Sequence, residues 1–354
     1  MKNLEKYLTL LNNEVDGLLL TSRYSRHYAA EYDIAEGVAL VTGAGCCYFT
    51  DSRYIEAACK GIRGFAVAEA NHTNPYSKLL NTAIADFGVC CLGYEEGYLT
   101  VAELQSFEKA LQVKLVPMGD AINSFRAVKE PWELDRIRRA QQITDCALSD
   151  VLPCIRVGMT EKQLQAELIY RLYKNGSEGL AFDPVVVSGP NTSLPHGVAG
   201  DRKIQAGDFV TMDFGACWGG YCADMTRTVA VGYATERMQE IYHIVLQAQE
   251  AGLQATKAGV QGKQIDGAAR KVIADAGYGE YFGHGYGHSI GMQCHEWPNC
   301  NPSGEQVMDI HMVASAEPGI YLPGEFGVRI EDLVIFTAEG YENLTKSAKN
   351  LIVV

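Results

Sequence analysis

The tetrapeptide Trp218-Gly219-Gly220-Tyr221 lies between two strand-like runs, Val210-Thr211-Met212-Asp213-Phe214-Gly215 and Cys222-Ala223-Asp224-Met225-Thr226-Arg227. A Gly-Gly pair in that setting predicts a two-residue hairpin turn, because both central positions of such a turn need a positive φ. If Trp218 then faces Tyr221, the register puts Asp213 opposite Thr226 and Asp224 opposite Gly215. Alternation along the strands sets both aspartates on one face, as diagonal neighbours roughly 7–8 Å apart at the backbone. Two facing carboxylates in an apolar sheet repel unless a cation bridges them. The blander alternative is a pair of solvated strand aspartates.

Three further strings carry chemistry-bearing residues. The first is Gly287-His288-Ser289-Ile290-Gly291-Met292-Gln293-Cys294-His295-Glu296-Trp297-Pro298, with two histidines among glycines. Neutral imidazole is a common ligand for borderline divalent ions, and glycines let backbone and ligand approach closely. His284, nearby, reads as a hydrogen-bonded loop histidine. The second is Ala314-Ser315-Ala316-Glu317-Pro318-Gly319-Ile320-Tyr321, followed by Gly327-Val328-Arg329-Ile330-Glu331-Asp332. Glu317 ends a strand-like run, and Glu331 alternates out of an apolar strand. The third is Leu194-Pro195-His196-Gly197, a histidine in a loop after an apolar run. Taken singly, each of these residues has an ordinary structural explanation.

Bulk properties exclude several classes. With 354 residues, 47% hydrophobic and 21% charged, the chain can bury a sizeable core and is not expected to be disordered. A formal net charge of -13 repels phosphate, so neither nucleic acid nor an anionic membrane is an expected partner. No run reaches the roughly 18 apolar residues of a spanning helix, and the N-terminal stretch is interrupted by Glu5, Asn12, Asn13, Glu14 and Asp16. The eleven cysteines include no C-x-x-C pair, so they read as reduced thiols of a cytoplasmic protein rather than a thiolate zinc site.

Residues 1–127 alternate strand-like and helical runs, as in a small α/β domain: a helix up to Leu11, strands at Gly17–Leu20, Gly37–Val41 and Cys46–Thr50, a helix after Asp51, and a run at Gly88–Tyr94. Pro131 is suited to open a helix, and the boundary is placed near residue 128. In residues 128–354, Leu134, Ile137, Ala140, Ile143, Ala147 and Val151 mark one helical face. Thr160 with Gln163 forms a capping box ahead of Leu164, Leu168 and Leu172. Strands are expected at Pro184–Ser188 and Phe209–Phe214, helices at Glu236–Ala258 and Lys263–Ala276, a strand-rich stretch from Met312 to Phe336, and a last short strand at Leu351–Val354. The order helix, helix, strands thus occurs twice.

Together these strings resemble the pita-bread metallopeptidases, the group containing methionine aminopeptidase, aminopeptidase P and prolidase. That family binds its metals through Asp, Asp, His, Glu and Glu in this order, which falls here on Asp213, Asp224, His288, Glu317 and Glu331. The spacing of the aspartates and the GH…HE-x-P, EPGIY and RIED strings all match, over about residues 130 to 350. Ser22-Arg23-Tyr24, Glu36-Gly37 and Phe49-Thr50-Asp51-Ser52-Arg53-Tyr54 resemble, more loosely, the N-terminal domain of the proline-specific branch. Tyr286, Ser289 and Ala223 depart from the usual family residues, but none is a ligand position.

The resemblance implies an α+β protein: a C-terminal pita-bread domain with a smaller α/β creatinase-type N-terminal domain. It implies hydrolysis of the N-terminal Xaa-Pro bond of a peptide with proline at its second position, by hydroxide held between two divalent ions. Asp224 and Glu331 would bridge the ions, with Asp213 on one and His288 and Glu317 on the other. Glu317 would also act as the base, and His196 and His295 would hold the substrate carbonyl and the tetrahedral intermediate. Oxygen-rich ligation favours manganese or cobalt, with zinc or ferrous iron also compatible. A homodimer is implied as well. A creatinase-like amidinohydrolase or a non-catalytic binding protein on the same fold would lack several of the five ligands. A methionine aminopeptidase would usually lack the N-terminal domain. Dipeptidase and aminopeptidase P stay open at this level.

Overall fold

The computed structural model describes residues 3–354, so Met1 and Lys2 of the expected first helix lie outside the described residues. The described chain divides into two compact units, one through Phe125 and one from Arg126 to Val354.

The first unit is built on a six-stranded sheet: β1 (Gly17–Leu20), β2 (Val38–Thr42), β3 (Cys46–Asp51), β4 (Ala66–Ala70), β5 (Cys91–Tyr94) and β6 (Lys114–Pro117), in the order β4-β3-β2-β1-β5-β6. β1, β2 and β3 are antiparallel neighbours, whereas β4, β5 and β6 join in parallel across helical connections. All four residues of β1 are buried, as expected for a central strand covered on both faces. The first helix runs Asn3–Leu8 and not to Leu11: Leu10 and Leu11 close turns onto Tyr7 and Leu8, and Asn12 bonds back to Val15.

The second unit repeats the order helix pair, strands. Helices Pro131–Val151 and Glu161–Lys174 precede β7 (Gly179–Leu180), β8 (Val185–Ser188), β9 (Phe209–Phe214), β10 (Ala216–Trp218), β11 (Tyr221–Cys222) and β12 (Met225–Ala230). Helices Glu236–Ala255 and Gly262–Asp275 precede β13 (Gly287–Ser289), β14 (Glu296–Cys300), β15 (Val313–Ala316), β16 (Gly319–Leu322), β17 (Phe326–Arg329), β18 (Asp332–Phe336) and β19 (Tyr341–Asn343). β8, β9 and β12 form one sheet, and β14-β13-β15-β18-β19 another. Pro131 opens its helix, and Thr160 and Gln163 exchange both bonds of a capping box. Leu164, Leu168 and Leu172 are fully buried with Val210, Met212 and Phe214. Each such burial stabilises by roughly 1.5–3 kcal/mol relative to exposure. The second helix pair packs its own core against β15, β17 and β18.

The hairpin register is as expected: Trp218 pairs with Tyr221, and Thr226 with Asp213. Gly219 and Gly220 have φ of 58° and 79°, the turn geometry that called for glycine. Ala223 and Asp224 lie outside the ladder, which breaks between β11 and β12. Gly215 crosses the gap so closely that an added Cβ would sit 1.8 Å from the Ala223 carbonyl oxygen. The tail forms a bridge of Val353 to Ala230 rather than a full strand.

A buried arginine ties the two sets of strands together. Arg227 on β12 pairs with Asp332 at 2.8 Å and donates to the carbonyl oxygens of Glu331, Ser347 and Ala348. The Glu331 amide in turn donates to the Thr226 carbonyl at 3.1 Å. Glu331 therefore stands between β17 and β18, where the chain passes from the β16–β17 pair to the larger sheet. The sequence pattern reads it as a residue within one continuous strand; the bonds to Thr226 and Arg227 take its backbone out of that ladder.

Candidate metal centre

Asp213 sits near the end of β9, Asp224 in the break after β11, His288 on β13, Glu317 just after β15, and Glu331 between β17 and β18. All five line one cavity of about 780 Å³, together with His196 and His295. Ligand atoms of Asp224, His288 and Glu331 lie within 4.8 Å of one another. His288 Nε2 stands 3.2 Å from Glu317 Oε1 and 3.6 Å from Asp224 Oδ2. Asp213 falls outside the tight triad and is held at 2.6 Å by Arg329. The ring of His295 lies 4.1 Å from that of His288. His196 is exposed, in the loop after the short helix Gly189–Ser193.

A layer of neutral and cationic groups aims these side chains. Thr226 donates to Glu331 Oε2 at 2.7 Å, and Arg329 Nε donates to the Thr226 hydroxyl at 3.0 Å. Ser315 donates to Glu317 Oε1 at 2.9 Å and accepts from the His288 amide at 3.0 Å, so one hydroxyl fixes two candidate ligands. This bond requires Gly287, since a Cβ there would lie 2.0 Å from the Ser315 carbonyl oxygen. Glu296, next to His295, is buried between Arg126 and Lys129 at 3.3 and 3.2 Å, which anchors that end of β14. His284 bonds Gly285 and Tyr321, the structural role its sequence context suggested.

The electrostatics of the cluster call for more positive charge than the protein supplies. Burial, and after it the charge of Asp213, pushes the Asp224 carboxyl well above the usual range. Burial and the charge of Asp224 do the same to Glu331. Burial opposes the charged form of His288, yet its bond to Glu317 and the charges of Glu317 and Asp224 raise it to about 9. Burial likewise opposes ionised Glu317, but His288 outweighs it and holds that carboxyl at about 2. Moreover, Asp213 Oδ1, Asp224 Oδ1 and Glu331 Oε1 are buried and accept no hydrogen bond. Buried acceptors left so are costly and call for a partner. Three orphaned carboxylate oxygens beside an imidazole fit hard or borderline divalent cations.

Sequence reasoning did not single out Thr226, Arg329, Ser315 or Cys294. All four lie inside the quoted strings, but their role depends on partners elsewhere in the chain. The Cys294 thiol donates to Asp224 Oδ2 at 3.2 Å, and its sulfur lies within 4.8 Å of ring nitrogens of His288 and His295. Burial, and after it the charge of Asp224, pushes this thiol far up, in keeping with its role as a donor to Asp224.

A carboxylate-rich cluster of this kind, in a cavity framed by two helix-backed sets of strands, defines a metal-dependent hydrolase. Residues 135–338 match the model of metallopeptidase family M24, and residues 3–128 match the creatinase/prolidase N-terminal domain. The chain belongs to metallopeptidase family M24, whose members work with divalent metal ions. It is 35% identical to an Xaa-Pro dipeptidase of Pyrococcus horikoshii over 96% of this chain and 95% of that protein. It resembles the structure of an Xaa-Pro dipeptidase from Bacillus anthracis, with 38% identity, a TM-score of 0.96 and coverage of 100% and 99% of the two chains. An X-Pro aminopeptidase from Thermotoga maritima is 35% identical with a TM-score of 0.94, each chain fully covered. The expected architecture, a creatinase-type N-terminal domain followed by the catalytic domain, is borne out.

Proposed function

We propose that this metallopeptidase hydrolyses the bond between an N-terminal residue and a following proline. The observation that carries the reading is the convergence of Asp213, Asp224, His288, Glu317, Glu331, His196 and His295 on one cavity. The Xaa-Pro activity in the names of its relatives supports it. The five ligand residues would hold two divalent ions, manganese or cobalt by the hardness of the donor set. Such ions neutralise the carboxylates, polarise a carbonyl and lower the pKa of water toward neutrality.

The protein groups divide the remaining work. Glu317 has Oε1 engaged by Ser315 and His288, which leaves Oε2 to take the proton of the attacking water. Burial, then the charge of His288, lowers His295, so its imidazole is neutral at pH 7 and can donate one N–H to the developing oxyanion. His196 would hold the substrate carbonyl from the opposite loop. Ile169, Phe182, Pro184 and Val185 give the cavity an apolar wall suited to a pyrrolidine ring.

On the same reading the working unit is a homodimer and the compartment the cytoplasm. Among the described residues the eleven cysteines form no disulfide, and no helix is long and apolar enough to cross a membrane. The deciding assay compares Ala-Pro-Ala with Ala-Ala-Ala before and after chelation. Proline-dependent cleavage, lost on chelation and restored by manganese or cobalt, is expected. Full activity in protein shown to be metal-free by elemental analysis would overturn the proposal.

A further inference from the structure

The charges around the cavity bear on which peptides can enter it. In a dipeptide Xaa-Pro, the free carboxylate belongs to the residue whose nitrogen is being released. Backbone geometry puts that carboxyl carbon roughly 2.5 Å from the scissile nitrogen. Wherever the bond is cut, the carboxylate must therefore sit inside the same cavity. In a longer peptide, or in an amide, a neutral carbonyl stands at that point.

Among the described residues lining the cavity, the acids are Asp183, Asp213, Asp224, Glu317 and Glu331, and the single Lys or Arg is Arg329. Two divalent ions would offset the four proposed ligand carboxylates and no more. Arg329 is already committed at every nitrogen: Nη2 to Asp213 at 2.6 Å, Nη1 to Tyr321 at 2.8 Å and to the Pro195 carbonyl at 3.2 Å, and Nε to Thr226 at 3.0 Å. It is also buried, so it cannot swing out to meet a new anion without abandoning Asp213. Asp183 is exposed, lines the cavity and forms no ion pair among the described residues. Asn299 on β14 is likewise exposed there, with a carboxamide suited to a neutral peptide group. A substrate carboxylate would meet the like charge of Asp183 and no uncommitted Lys or Arg, whereas an amide carbonyl would meet neither problem.

We infer that Asp183 and the lack of an uncommitted Lys or Arg among the described residues lining this cavity select substrates that continue beyond proline, Xaa-Pro-Yaa peptides or Xaa-Pro amides, over the Xaa-Pro dipeptide. The inference rests on the proposed cleavage before proline and deepens it. It assigns Asp183 as a specificity-determining residue that acts on the substrate's charge and takes no part in bond cleavage.

The test measures kcat and KM of the manganese-loaded protein on Ala-Pro, Ala-Pro-amide and Ala-Pro-Ala. The amide and the tripeptide are expected to exceed the dipeptide about tenfold or more in kcat/KM at low salt, mostly through KM. The gap should narrow in about 0.5 M KCl, because screening weakens charge repulsion. Asp183→Asn should raise kcat/KM for Ala-Pro several-fold and leave Ala-Pro-amide within about twofold; Asp183→Lys should raise the dipeptide further. Cleavage of Ala-Pro as fast as the amide would overturn this inference and leave the proline-directed reading standing. So would Asp183 variants that change both substrates equally. Cleavage of none of the three would overturn both.

Discussion

Arg329 donates from Nη2 to Oδ2 of Asp213 at 2.6 Å, while Oδ1 of the same carboxylate is buried without a hydrogen bond. One oxygen is thus pinned and the other is aimed into the cluster. Groups that orient a ligand in this way typically govern about 10–100-fold in metal affinity. Arg329→Gln is therefore expected to weaken manganese binding by that order, read by titration of the chelated protein. Unchanged affinity would remove Arg329 from the centre.

Asp224 and Glu331 link metal to stability through pH. Their folded-state carboxyls are raised, by burial first and then by neighbouring carboxylates. Protons on them favour the folded chain fully below the unfolded value, about 4, and that contribution is lost as pH rises through the raised folded values. Metal takes over from the protons in that window, so the melting shift on adding manganese should be larger near pH 8 than near pH 5. At free metal about 100 times its dissociation constant the gain is about 2.7 kcal/mol. Asp224→Asn should shrink the shift sharply, whereas Glu342→Gln, which breaks only a surface pair with Arg138, should not. Equal shifts in both variants would mean that the five residues do not form one site.

Glu317→Gln keeps the side-chain volume but removes the proposed base and a proposed ligand charge, and His295→Ala removes the proposed oxyanion donor. Each is expected to lower kcat at least about 10²-fold with the fold intact by circular dichroism. Near wild-type turnover of Glu317→Gln would rule out its assignment as base.

The Arg227–Asp332 pair is 2.8 Å apart and fully buried. Arg227→Met leaves Asp332 with Lys349 at 3.1 Å as its cationic partner and takes the donor from the Glu331, Ser347 and Ala348 carbonyls, so it should cost about 3–5 kcal/mol in denaturant unfolding. Burial alone would raise Asp332, but Arg227 and Lys349 hold it below the usual carboxylate range. Its contribution is fully present above the unfolded value, about 4, and fades as pH falls through the lower folded value. Asp332→Asn should accordingly flatten the acid limb of stability below about pH 4. An acid limb identical to wild type would contradict this.

Much of the local structure was legible in the residues alone. Gly219-Gly220 dictated a turn that in turn set Asp213 opposite Thr226, because a two-residue loop leaves one register open. Thr160 with Gln163, and Pro131 at a helix start, placed helix ends through bonds that span three residues. The strings around His288, Glu317 and Glu331 pointed to the proposed ligand set by resemblance. What tertiary structure decided is how those side chains are held. Glu331 is aimed by Thr226 at a separation of 105 residues, Asp213 by Arg329 at 116, and Cys294 reaches Asp224 across 70. Such pairings leave no periodic trace, since alternation and capping report only on neighbours a few positions away. The commitment of Arg329, and with it the charge left for a substrate, exists only once β9, β12 and β17 pack together around the cavity.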